Sequence, residues 1–268
     1  MIESLILYLV LGAVAGFIAG LFGVGGGVLI VPVLIFSFTL QQMPEAVMTH
    51  SAIATSLATI IVTSISSVRA HNQRGSVRWD LFRPLAIGIS FGALVGVVIA
   101  DSLSGAELQT LLGFFVTAVG IQMALDLKPK RGSKAPQKPE LGIVGSFIGA
   151  ASAVFGIGGG ALTVPYLTLR GAGMHESVGT AAACGLPIAF FAALAYIWAG
   201  QDAQGMPPYS LGYIYLPALI GVGVASSQFA RVGAKMAHVL SQRRLKQIFA
   251  FFLLIIGIRF LVISFIVN

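Results

Sequence analysis

Seven long apolar segments constrain what this chain can fold into. Each is about 17 to 23 residues long, and an α-helix of that length crosses the hydrocarbon core of a bilayer, which is about 30 Å thick. Hydrophobic residues make up 57% of the chain and charged residues only 9%, whereas a soluble domain carries about 25% charged residues. The pattern predicts an all-α, polytopic membrane helix bundle. The segments are 5–22, 46–68, 84–100, 108–125, 177–198, 212–230 and 248–267.

Charge and cysteine content argue against several other classes of function. The formal net charge of +7 resides in short loops between the apolar segments, so it favours anions near one membrane face and does not indicate nucleic-acid binding. The single cysteine, Cys184, lies inside an apolar segment, so the chain cannot form an internal disulfide and we expect no metal cluster. The apolar segments show no nucleophile–base pair and no HExxH motif. We therefore predict that the protein is not an enzyme and needs no cofactor.

Two stretches of the chain share one sequence pattern, which indicates an internal duplication. The residues Phe-Gly-Val-Gly-Gly-Gly at 22–27 recur as Phe-Gly-Ile-Gly-Gly-Gly at 155–160. We therefore divide the chain into an N-terminal repeat at 1–126, a basic linker at 127–139 and a C-terminal repeat at 140–268. Later matches keep the same order, and they pair His50 with His175, Thr55 with Thr180, Pro84 with Pro217 and Gly120 with Gly257.

The placement of Lys and Arg predicts how the two repeats are oriented, because these residues accumulate in short cytoplasmic loops. In the first repeat, the connection after 46–68 is basic, and the connection 101–107 contains no Lys or Arg. In the second repeat this order is reversed, since 199–211 contains none and 231–246 is basic. Equivalent loops therefore lie on opposite sides, which predicts inverted repeats. The basic loops and the linker would be cytoplasmic and both termini outside.

A glycine cluster interrupts the apolar sequence of each repeat, at 23–27 and at 156–160. Four glycines in five residues disfavour a helix interior, because each costs about 1 kcal/mol relative to alanine. Inversion requires an odd number of crossings per repeat, and the other apolar segments of the first repeat already provide three. We therefore predict a re-entrant hairpin or broken helix at each cluster, with its tip near the midplane. Two full spans per hairpin is the alternative, so the bundle has eight to ten membrane segments.

The same glycine clusters are the candidate substrate site. A helix that begins after a break directs free N–H groups and the positive end of its dipole at the break, and glycine lets a ligand approach the main chain closely. With inverted repeats, the two tips meet near the membrane centre and hold a small anion. The alternative is that the glycines only allow tight helix packing. The candidate binding residues are Gly23, Gly25, Gly26, Gly27, Gly156, Gly158, Gly159 and Gly160.

Polar side chains within the apolar segments are further candidates for the binding site. Thr55, Ser56 and Thr180 lie in the segments that follow the two hairpins, although such hydroxyls also bond to their own helix backbone. Gln228 and Cys184 are candidates for the lining of the path, with helix packing as the alternative. The second repeat has alanine after Thr180, where the first has Ser56 after Thr55. This difference predicts an asymmetric site.

Two histidines and one arginine are candidates for a gating or proton-transfer role. His50 and His175 occupy equivalent positions near segment ends, where an interfacial position without a functional role is the alternative. Arg259 is a charge well inside an apolar segment, and charges inside the membrane are functional by default. Its alternative is that the side chain extends to the nearby membrane surface, because the chain ends about nine residues later.

The paired Phe-Gly-[Val/Ile]-Gly-Gly-Gly-x-Leu-x-Val-Pro elements resemble those of the TauE/SafE family of anion permeases, also called the sulfite exporter family. Further elements support the resemblance, which covers nearly the whole chain: Ala-Thr-Ser-Leu at 54–57, Val-Gly-Thr at 178–180, the basic loop 67–77 and the last helix. The resemblance implies transport of sulfur-containing or small organic anions, such as sulfite, thiosulfate, sulfoacetate or other sulfonates, usually outward and without an ATPase subunit.

These observations together predict a secondary transporter in which movement of the inverted halves alternately exposes a central anion site. An anion channel with the same fold, which would conduct without coupling, is the alternative. The expected partners are a small anionic substrate and the lipid bilayer, with a homodimer as one candidate assembly. The expected location is the bacterial inner membrane.

Overall fold

The structure is a computed structural model that describes residues 2–22, 27–125, 136–236 and 242–267. The described residues form ten α-helices and one short antiparallel β-hairpin, which confirms the predicted all-α bundle. The predicted linker, 127–139, lies outside the described residues as far as residue 135. The elements are α1 (Ile2–Phe22), α2 (Gly27–Leu40), α3 (Glu45–Gln73), α4 (Trp79–Asp101), α5 (Gly105–Ala124), α6 (Lys138–Phe155), α7 (Gly160–Leu169), α8 (Met174–Ala199), β1 (Ser210–Leu211), β2 (Ile214–Tyr215), α9 (Leu216–Met236) and α10 (Gln242–Val267).

Four of the seven predicted membrane segments lie in described helices of spanning length. Within the described residues, α3, α4, α5 and α8 are long and apolar enough to cross a membrane. The helices that follow the glycine clusters are shorter, since α2 has 14 residues and α7 has 10. At 1.5 Å per residue these helices extend only about 21 Å and 15 Å, less than the thickness of a bilayer core. The second glycine cluster therefore separates the 18-residue α6 from the shorter α7.

Local sequence explains where several helices begin and end. The hydroxyl of Ser104 caps α5 by accepting the N–H of Glu107 at 3.3 Å, and the Glu107 carboxylate accepts the N–H of Ser104 at 2.8 Å. This capping box satisfies two amides that would otherwise lack partners. At the other end of a helix, Gly156 ends α6 in the left-handed conformation, with φ of 65°. Glycine is the residue that adopts this conformation most readily.

The helix pairs of the bundle repeat between the two halves. Helices α1 to α5 of the first half correspond in order to α6 to α10 of the second half. When each helix is replaced by its counterpart, the α4–α6 pair becomes the α9–α1 pair. The same exchange leaves the α3–α8 and α5–α10 pairs unchanged. All four pairs are in extensive contact. The first helix of each half therefore packs on the fourth helix of the other half, so the halves interlock.

Small residues bring the interlocked helices into backbone contact. Gly88, Gly92 and Gly96 of α4 are spaced four residues apart, and a Cβ on any of them would collide with a backbone oxygen of α6. In the same way, a Cβ on Gly12 of α1 would lie 2.7 Å from the Cα of Val222 in α9. Such small-residue stripes allow close helix approach within membranes. Glycines such as Gly12 therefore allow the close packing of α1 on α9.

The equivalent helices α3 and α8 begin at opposite ends of α4. Near the start of α8, the hydroxyl of Thr180 accepts the N–H of Arg78, which directly precedes α4, at 3.0 Å. Near the start of α3, Nε2 of His50 lies 3.0 Å from the carbonyl oxygen of Ala100, at the other end of α4. Since α4 has 23 residues, it is about 35 Å long. The contacts therefore orient α3 and α8 in opposite directions.

Candidate functional site

The break between α6 and α7 leaves the first amides of α7 without hydrogen-bond partners in their own helix. The chain turns at Gly156, and the N–H of Ile157 donates to the carbonyl of Ser152 at 3.0 Å. In α7, the N–H of Thr163 donates to the carbonyl of Gly159 at 2.9 Å. Amides before Thr163 in this helix have no carbonyl one turn earlier within it. They therefore point out of the N-terminal end of α7, towards the break, with the positive end of the helix dipole.

The start of α2 lies directly against this break. A Cβ on Gly27 would be 2.8 Å from the Cα of Ile157 and 3.0 Å from both the oxygen of Gly156 and the nitrogen of Gly158. The main chain of one repeat thus touches the glycine break of the other. The remaining glycines predicted for the first cluster, Gly23, Gly25 and Gly26, lie outside the described residues.

One face of α3 packs against the break between α6 and α7. The hydroxyl of Ser56 donates to the carbonyl of Gly156 at 2.9 Å. A Cβ on Gly156 would be 3.1 Å from the Cα of Ile53, and a Cβ on Gly158 would be 3.6 Å from a methyl of Ile60. Because positions three and four residues apart share a helix face, these side chains form one stripe. Ser56, a predicted site residue, therefore orients the break through the Gly156 carbonyl.

Helix α8 packs against the other side of the break. A Cβ on Gly159 would be 2.8 Å from the oxygen of Ala181, 3.1 Å from the nitrogen of Gly185 and 3.2 Å from the Cβ of Cys184. Cys184 is itself fully buried. Gly159 thus allows the N-terminal end of α7 to approach the backbone of α8, and Cys184 is part of that packing. Gly160, the first residue of α7, completes the break.

The two equivalent threonines bind the halves to each other. Thr55 of α3 accepts the N–H of Tyr215, which directly precedes α9, at 3.0 Å. Thr180 of α8 accepts the N–H of Arg78, directly before α4, at 3.0 Å. Both threonines are fully buried, so each satisfies an amide at a helix start of the other half. The repeated sequence pattern predicted that the two threonines are equivalent, but it did not predict the amides that they bind.

The remaining predicted residues have unlike environments. His50 is buried, and its ring stacks on Tyr213 at a centroid distance of 5.1 Å. His175, its equivalent, is exposed, as is Gln228. The guanidinium carbon of Arg259 lies 5.8 Å from the centroid of the Phe36 ring, a cation–π contact on an exposed residue.

An ion-pair cluster that was not predicted from the sequence lies near the start of α8. Arg78 pairs with Asp80 of its own half at 2.7 Å and with Glu176 of the other half at 3.4 Å. The hydrogen bond to Asp80 raises the pKa of Arg78 above its ordinary value. Arg170 pairs with Glu140 beside a cavity of about 80 Å³ that Arg78 also lines. The position of Glu176 in the first turn of α8 was the available signal, since acidic residues favour helix starts.

The fold and the site together define an integral membrane transport protein. Four of its described helices are long and apolar enough to cross a bilayer, and the start of α2 in one half meets the glycine break of the other half. Broken helices are tolerated at membrane depth when they are buried in protein or line a cavity.

The chain belongs to the sulfite exporter TauE/SafE family, whose model matches residues 8–260. This match confirms the family resemblance predicted from the paired glycine motifs.

Similar proteins carry names that describe membrane transport. The chain is 35% identical to a probable membrane transporter protein of Haemophilus influenzae, in an alignment that covers 96% of this chain and 98% of that protein. It is 26% identical to a probable membrane transporter protein of Methanocaldococcus jannaschii, with 94% and 93% covered. The family and these names point to a membrane transporter rather than an enzyme.

Proposed function

We propose that this protein is a secondary transporter that exports sulfur-containing or small organic anions, such as sulfite, sulfoacetate or other sulfonates. The observation that carries the proposal is the contact of Gly27 with the backbone of Gly156, Ile157 and Gly158. This contact joins the start of α2 in one half to the break of the other half, where first-turn amides of α2 and α7 can face one ligand. The family's description supports a sulfur oxyanion as substrate.

Main-chain amides give this site its affinity for an anion. A travelling anion loses hydration when it enters the bundle, and N–H groups at the start of α7 replace the lost hydrogen bonds. Their effect is strengthened by the low dielectric constant of the buried site. None of the described residues whose contacts form the break carries a formal charge. Binding through amides rather than through an ion pair leaves the anion free to dissociate on the far side.

The opposed directions of α3 and α8 support an inverted-repeat mechanism of alternating access. In this mechanism each half forms one closure of the pathway. At one end the Arg78–Glu176 ion pair joins the halves, and at the other end the hydroxyl of Tyr213 donates to Asp101 at 3.2 Å. The loop that contains Arg78 is basic, which assigns its end to the cytoplasm under the positive-inside rule.

A flux assay in proteoliposomes tests the proposed function. The purified full chain is reconstituted, and uptake of radiolabelled sulfite, thiosulfate, sulfoacetate, taurine and acetate is measured under imposed proton or sodium gradients. We expect saturable flux of at least one sulfur-containing anion, driven by one of the gradients. Flux that does not saturate and responds to neither gradient would instead support the channel. If no anion of the panel is transported, the proposal is wrong.

The cytoplasmic closure is tested by weakening the ion pair between the halves. Glu176→Gln should increase the rate at which a membrane-impermeant maleimide labels a cysteine introduced at Ala172, in a Cys184→Ala background. Because both side chains are about 40% exposed, 43% and 39%, the pair contributes at most about 1 kcal/mol, which limits the increase to about fivefold. Asp80→Asn is the matched control, since Asp80 pairs with Arg78 within one half. Equal labelling of the two variants would show that the ion pair does not close the pathway.

A further inference from the structure

One buried hydroxyl beside the break has no role in holding the helices. Ser64 of α3 is only 7% exposed, and within the described part of the chain its hydroxyl has no hydrogen-bond partner. Its neighbours behave differently, since Thr63 donates to the carbonyls of Thr59 and Ile60 and Ser66 donates to that of Thr63. The hydroxyl of Ser64 is therefore available to a ligand.

The Ser64 hydroxyl faces the N-terminal end of α7. The position that a Cβ of Gly185 would occupy lies 3.0 Å from Oγ of Ser64 and 3.6 Å from the nitrogen of Gly159. Because Gly185 has no side chain, nothing of its own fills the space between the hydroxyl and this amide. Ser64 also extends the face of α3 that carries Ser56 and Ile60, four residues beyond Ile60. The stripe that orients the break thus ends in an unpartnered donor.

A second unpartnered hydroxyl lies in the first turn of α7 itself. Thr163 is fully buried, and its Oγ1 has no hydrogen-bond partner among the described residues. Buried hydroxyls in folded proteins are normally paired. By contrast, the predicted hydroxyls of Thr55, Ser56 and Thr180 all engage the protein main chain. Thr163 therefore places an unpartnered hydroxyl in the first turn of α7, whereas these three predicted hydroxyls are already bonded to the protein.

We propose that Ser64 is a substrate-binding residue that donates its hydroxyl hydrogen to one oxygen of the transported anion, while first-turn amides of α7 bind another. This inference rests on the proposed function and specifies its ligand chemistry as an oxyanion, because hydroxyl and main-chain N–H donors need acceptor atoms such as oxygen on the ligand. The equivalent position in the second half, 125 residues later as for Thr55 and Thr180, is Ala189. The hydroxyl is thus supplied by one half only.

The test compares hydroxyl variants in the reconstituted full chain. We expect Ser64→Ala to raise the KM for sulfite by about tenfold or more, the effect of losing a hydrogen bond to a charged ligand, with a smaller change in maximal rate. Ser64→Thr, which keeps the hydroxyl, should restore most of the affinity. Ser66→Ala is the matched control on the same helix, because its hydroxyl is exposed and bonds only to Thr63, and it should leave KM unchanged.

A second variant keeps the inference testable if Ser64→Ala does not fold. Gly185→Ala places a methyl between the hydroxyl and the Gly159 amide, so it should also raise KM. Inhibition of sulfite flux by acetate shows which oxyanions the Ser64 hydroxyl recognises. If the variant binds both acetate and sulfite more weakly than the wild type, the hydroxyl recognises oxyanions in general. If only sulfite binds more weakly, the hydroxyl recognises sulfur oxyanions. Wild-type flux with an unchanged KM in both variants would overturn the role of Ser64 and leave the proposed function intact. Absence of wild-type flux would instead refute the transporter itself.

Discussion

Replacing Gly27 with alanine is expected to reduce anion flux at least about tenfold while the protein still inserts into the membrane. The added Cβ would lie 2.8 Å from the Cα of Ile157 and 3.0 Å from the nitrogen of Gly158. These are main-chain atoms, which cannot move aside as the end of a flexible side chain does. The start of α2 and the α6–α7 break must therefore separate, at an overpacking cost of about 1–3 kcal/mol.

Gly142→Ala is the matched control for this substitution. Gly142 lies in α6, and a Cβ there would meet nothing within 4 Å, so flux should remain at the wild-type level. Flux is measured in the proteoliposome assay, and insertion is measured from the yield of protein in the membrane fraction. If Gly27→Ala transports as fast as Gly142→Ala, contact between the start of α2 and the α6–α7 break is not required for transport.

Gly92→Leu is expected to prevent the bundle from assembling. Gly92 contacts the main chain of α6 so closely that even a Cβ would collide with the carbonyl oxygen of Ser146, and leucine adds three further carbons. The smaller change Gly92→Ala should destabilise the protein by about 1–3 kcal/mol, the usual range for overpacking. Folded protein is measured by size-exclusion chromatography in detergent, and stability by the SDS concentration at the unfolding midpoint.

The control for the Gly92 series is again Gly142→Ala, which should shift the unfolding midpoint slightly upward or not at all. Alanine has a higher helix propensity than glycine, and Gly142 has space for the methyl group. A Gly92→Ala midpoint equal to that of the wild type would show that α4 and α6 are not in backbone contact.

Helix positions and the break between α6 and α7 were predictable because they depend on local sequence. Apolar segment length sets the span of a helix, and clustered glycines disfavour its continuation. The structure accordingly ends α6 at Phe155, with Gly156 in the left-handed conformation, and begins α7 at Gly160. Of the first glycine cluster only Gly27 is among the described residues, so the break predicted there stays a prediction.

The partners of the polar side chains were not predictable, because they come from distant parts of the chain. Thr55 and Tyr215 are 160 residues apart, and Thr180 and Arg78 are 102 residues apart. Nothing in the sequence distinguishes Ser64 from the hydroxyl residues around it. Its distinguishing feature is the gap left by Gly185 on another helix, which exists only in the folded protein.

The first helix of the chain packs on a helix of the second half, and this arrangement delays completion of the fold during synthesis. Helix α1 packs on α9, and α9 begins at Leu216, about 190 residues after α1 ends at Phe22. At ribosomal rates of about 5–20 residues per second, α1 waits roughly 10–40 s for its partner. During this interval the glycine-lined side of α1 faces lipid or an insertion factor. An N-terminal half released alone would retain that unsatisfied surface, so quality control is expected to degrade it.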